Sequence, residues 1–102
     1  MKTFTKSEIV KIAQQQSVVL NEDWTGPGQV WPLIEEMMMA GCVVVMKLDG
    51  ARNPEAGDNG KYTIIATGGP LGSVSIRGDF ENLDDGLSYL IGNYHAVVVG
   101  YE

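Results

Sequence analysis

The chain of 102 residues holds one cysteine and one histidine, and this scarcity excludes two kinds of chemistry. A lone thiol, Cys42, rules out an intramolecular disulfide and fits a reducing compartment. One cysteine and one histidine with no second pair serve zinc poorly. No stretch approaches the ~20 apolar residues of a membrane span. The opening "MKTFTKSEIVKIAQQQ" places a Lys or Glu every few residues where a signal peptide would carry an apolar run, so a cytoplasmic protein is expected. Cations are few as well: seven Lys and Arg against 13 Asp and Glu leave a net charge of −6. Such a surface repels phosphates, which disfavours nucleic acid as a partner and favours a cationic one.

The remaining composition is that of an ordinary folded protein, 44% apolar and 20% charged, with a length suited to a single domain over residues 1–102. Its charge is uneven. Lys2, Lys6 and Lys11 against Glu8 make the first 11 residues +2, so the acidity lies beyond them.

Thr5-Lys6-Ser7-Glu8 matches a capping box, with Phe4 and Ile9 at the positions of a hydrophobic staple. A helix is therefore predicted from Thr5 to about Gln16, burying Ile9, Ile12 and Ala13. After "SVVL" the acidic, Gly- and Pro-containing "NEDWTGPG" forms a connector. Pro32 suits the first turn of a second helix, which Gly41 would end. Val30, Ile34, Met37 and Met38 then share a face, read as core in preference to a Met-rich binding surface.

"CVVVMKL", 42–48, is too continuously apolar to be half exposed and reads as a central strand. "KYTIIAT", 61–67, and "SVSIRGDF", 73–80, follow as strands, the second with one wet face. Asn82 can cap a third helix with Asp84 and Asp85 in its first turn. Leu83, Leu87, Leu90, Ile91 and Tyr94 fall at helical spacing; Gly92 or Asn93 is read as the helix end, after which "AVVVGY", 96–101, is predicted as a last strand. The expected fold is α+β: an antiparallel meander of three strands, a C-terminal strand reached through a helix, and two N-terminal helices packed on the sheet.

No catalytic motif stands out. An EF-hand loop counted from Asp49 would put Ala51, Asn53, Pro54 and Gly60 where the ligands, the turn glycine and the final glutamate belong. The glycines of "GGPLGS" lack the Lys-Ser/Thr of a phosphate loop. The expectation is a protein that is not an enzyme and has no cofactor. A small enzyme built on Cys42 and His95 is one alternative, and a homo-oligomeric accessory or ligand-binding protein is another.

The long polar connection between the first two strands carries Asp49, Arg52, Glu55 and Asp58, and leads to Tyr62. Asp79, Glu81, Asp84 and Asp85 form a second acidic group, while Glu22 and Asp23 flank Trp24. The 49–60 loop is read as a recognition element for a basic partner, with Trp24, Tyr62 and Tyr101 as aromatic anchors. This acidic character, with its "EAGD" and "DFENLDD" segments, resembles the immunity proteins of bacterial contact-dependent growth inhibition and polymorphic toxin systems. The resemblance implies a one-to-one complex with a cationic toxin, a nuclease domain and a ribonuclease ahead of a DNase, whose phosphate-binding cleft the carboxylates block.

Overall fold

The computed structural model describes residues 1–100, which fold as three helices and a three-stranded antiparallel sheet. The elements run α1 (Lys6–Gln15), α2 (Pro27–Met39), β1 (Cys42–Leu48), β2 (Tyr62–Gly68), β3 (Ile76–Phe80) and α3 (Leu83–Val99), with the sheet in the order β1-β2-β3. No helix among the described residues is long and apolar enough to cross a membrane.

Helix α1 begins as the sequence indicates. The Thr5 hydroxyl accepts from the Glu8 amide and the Glu8 carboxylate accepts from the Thr5 amide, completing the capping box. Helix α2 begins earlier than Pro32. Pro27 occupies its first turn, and the Asp84 carboxylate accepts from the amide of the preceding Gly26, a long-range tie that no local pattern reveals. Pro32 lies inside the helix, where it removes one backbone hydrogen bond on the exposed side.

Strand pairing follows one register throughout. Cys42 faces Gly68 and Leu48 faces Tyr62, while Tyr62 faces Phe80 and Ala66 faces Ile76. Cys42, Ile64, Ala66 and Ile76 point into the core with Leu33, Ile34 and Met37 of α2 and Leu87, Leu90 and Ile91 of α3. The opposite face of β1 is uncovered: Val43 and Val45 are 61% and 45% exposed. The expectation of a central strand is thus corrected, because β1 is an edge strand and its apolar run is not buried on both sides. The expected packing of both N-terminal helices on the sheet is corrected too: α2 packs on β1, whereas α1 packs on α3.

The predicted last strand is the largest correction. Residues 96–99 continue α3, while Tyr101 lies outside the described residues. The Gly92-Asn93 pair, read as a helix stop, is a docking site inside the helix. Phe4 sits so close that a Cβ on Gly92 would fall 2.2 Å from its ring. The buried Asn93 amide donates to the Lys2 and Tyr89 carbonyls, and its oxygen accepts from the Lys2 amide. With the backbone held helical there, Val97–Val99 follow in spite of their β-propensity.

Candidate protein-binding surface

The 49–60 loop is long because it folds back and bolts itself to the sheet. Asp49 turns the chain by accepting from the Ala51 amide, and Asn53 caps a single 3₁₀ turn, Pro54–Ala56, by accepting from the Glu55 amide. Gly57 takes a positive φ of 97°, and Asp58 closes the loop by accepting from the Asn53 amide at 2.6 Å. At the exit a Cβ on Gly60 would meet the Phe80 backbone at 2.3 Å, so only glycine permits that approach.

Arg52 is the bolt. Its Nη1 donates to the Gly60 carbonyl at 3.0 Å, to Thr63 Oγ1 at 3.2 Å and to Asp79 Oδ1 at 2.9 Å, while its Nε lies 3.5 Å from Asp49. Asp79 also accepts from the buried Thr63 hydroxyl and from Asn59 Nδ2. The Thr63 hydroxyl and then the Arg52 guanidinium hold the Asp79 carboxyl below the usual range, and Asp79 in turn raises Arg52. Asp49 is lowered by the Ala51 amide and by Lys47.

The structure therefore brings together Asp49, Arg52 and Asp79, which the sequence places in two separate groups, and uses them internally. Thr63 and Asn59 complete this network and were not singled out in the sequence. The only sequence signal for Thr63 is a hydroxyl among the apolar residues of β2.

Asp84 belongs to a second, separate tie. Its carboxylate accepts from Lys6 Nζ at 2.7 Å, from the Thr25 hydroxyl at 2.8 Å and from the Gly26 amide at 2.8 Å, joining the starts of α1, α2 and α3. Burial pushes its pKa up, but the Lys6 ion pair and the Gly26 and Thr25 hydrogen bonds outweigh it and leave the group lowered. Asp85 stays exposed beside its cap partner Asn82, and Glu81 is exposed. Tyr62 is half-buried at the start of β2. Trp24 is corrected from surface anchor to core residue: it is fully buried, with its indole N–H directed at the Lys6 carbonyl. The exposed carboxylates of the loop are Glu55 and Asp58.

The nucleophile candidates have different neighbours. Cys42 is buried and donates to the Gly68 carbonyl beside Tyr94, whereas His95 Nε2 is 2.9 Å from Gln15 Oε1 of α1. No group of three or more His, Cys, Asp or Glu side chains placed to hold a metal ion occurs among the described residues.

Lowered carboxylates set the acid stability. Asp79 and Asp84 titrate below their ordinary 3.8 when folded, so their stabilisation is complete above that value and is lost as the pH falls through the folded-state pKa. Denaturant midpoints measured from about pH 6 down to about pH 3 are expected to fall, and to fall less steeply for Asp79→Asn/Asp84→Asn. Parallel acid limbs for the two proteins would refute this account.

Comparison with protein-family profiles, curated proteins and solved structures gives no match.

Proposed function

We propose that this protein is a non-catalytic binding protein of the immunity type, which acts in the cytoplasm and captures a cationic toxin domain, one partner per chain. A ribonuclease is the favoured target. The observation that carries the reading is the loop itself: Arg52 ties its base to β2 and β3, while Glu55 and Asp58 ride exposed on its outer part. A loop fixed before encounter loses little conformational entropy on binding, so its carboxylates are presented at low cost. The net charge of −6 adds long-range attraction for a basic partner and raises the rate of capture.

The roles divide within the acidic set. Glu55 and Asp58 meet the partner, and Asp58 also closes the loop on the Asn53 amide, a bond that Asn can keep through its carbonyl oxygen; Asp49, Arg52 and Asp79 shape the loop from its base and Asp84 holds the helices. Replacing Glu55 and Asp58 by Gln and Asn is expected to slow association roughly tenfold at low salt and to flatten its salt dependence, with the fold intact. Stopped-flow or biosensor association rates measure this, and unchanged rates would remove the loop from the interface.

The functional test is affinity capture from the source cell at low and high salt, followed by an assay of the captured protein. One stoichiometric basic protein is expected at low salt, and its cleavage of RNA should cease when this chain is added back. Undiminished cleavage in the presence of excess chain would refute the neutralising role.

A further inference from the structure

The apolar edge of β1 has the chemistry of a self-pairing strand. The Asp49 amide donates to the Lys61 carbonyl, which continues the β1–β2 register by one pair and fixes its phase. In an antiparallel ladder such pairs alternate, so Val43, Val45 and Lys47 direct their backbone groups at β2. Val44, Met46 and Leu48 direct theirs outward, where no strand of the described residues pairs with them. The usual protections of an edge are sparse here: the strand has no proline, Lys47 is its one charge, and seven residues make it longer than β3.

The same edge is apolar on its helix side. Trp31, Ile34 and Met38 of α2 form a groove with Val44 and Met46, with Glu35 as the one charged residue of its lining. Trp31, Met38 and Leu48 are 52%, 56% and 70% exposed.

We propose that two copies of this chain associate through β1, antiparallel about a two-fold axis at Met46, to make one continuous six-stranded sheet. Met46 then faces Met46 of the other copy, and Val44 faces Leu48, each pair exchanging both N–H···O bonds from the outward groups. Even-numbered residues face even-numbered ones, so the helix sides coincide and the two α2 helices bring Trp31 and Met38 to the junction. Lys47 falls opposite Val45, which keeps the two ammonium groups from facing each other. The side chains available amount to on the order of 500 Å² of apolar surface per copy, and the paired backbone brings this near the roughly 800 Å² per partner of a stable interface. Each copy carries −6, so the pair forms against mutual repulsion and tightens as salt is raised.

Sedimentation equilibrium of the full chain tests the association, and amide hydrogen exchange tests the surface. A monomer–dimer equilibrium that shifts toward dimer with salt is expected. Exchange at Val44, Met46 and Leu48 should slow by at least about tenfold on going from dilute to concentrated protein, with Val43, Val45 and Lys47 protected throughout. Met38→Lys/Leu48→Lys, which alters exposed positions only, should raise the dimer dissociation constant about 100-fold. Three results would each overturn the proposal: a wild-type monomer at about 1 mM in high salt, a dimer in which those three amides exchange no more slowly, or a charged double variant that dimerises like wild type.

Discussion

Trp24→Ala is expected to cost about 3–5 kcal/mol of stability, the range for emptying a large aromatic site in a core. The residue lies in the connector before α2, and its ring has no exposed surface. Lys6 Nζ stands 4.9 Å from the ring centroid while bonding the Trp24 carbonyl and the Asp84 carboxylate. Removing the indole therefore opens a cavity and strips the apolar wall from an ion pair that is itself part of the junction between α1 and α3. Urea unfolding monitored by far-UV circular dichroism measures the loss. A change below about 1 kcal/mol would mean that the indole is not a core element. Trp24→Phe should lose less than the alanine variant, because most of the apolar volume remains.

Leu90→Ala should lose about 2–5 kcal/mol, measured by the same unfolding transition. Leu90 is completely buried on α3, the helix that packs on β2, β3, α1 and α2. Few positions can relax into the space left behind, because the neighbouring elements are held by their own ties: α1 and α2 through Asp84, and the segment before α1 through Asn93. A loss below about 1 kcal/mol would show that the leucine stripe of α3 is not the core of the domain.

What the sequence announces are features whose cause is local. The capping box at Thr5, the cap at Asn82 and the stripe from Leu83 to Tyr94 each depend on residues a turn or two apart, and all three are present. Features that depend on distant partners were hidden. The Arg52–Asp79 tie spans 27 positions and the Lys2–Asn93 pair spans 91, so neither leaves a periodic mark. Gly92-Asn93 carries the residue types of a helix end, and the helix continues because Phe4 fits against Gly92 and the Asn93 amide bonds Lys2 and the Tyr89 carbonyl. The run "CVVVMKL" misled for a different reason: continuous apolarity reads as burial on both faces, whereas one face of the edge strand β1 stands exposed at Val43 and Val45. Composition showed the acidity, whereas the division between carboxylates spent on internal bonds and those left at the surface required the fold.

The reciprocal amide pairing of Lys2 with Asn93 has a consequence for how the protein is made. Synthesis is vectorial, and α1 emerges from the ribosome long before the helix that covers it. Until α3 has left the exit tunnel, Ile9, Ile12 and Trp24 have no complete enclosure, so the nascent chain presents an open apolar seam of the kind chaperones bind. The amide pairing of Lys2 with Asn93 can form only once α3 is available, so the segment before α1 is fastened after the rest of the described fold has been synthesised.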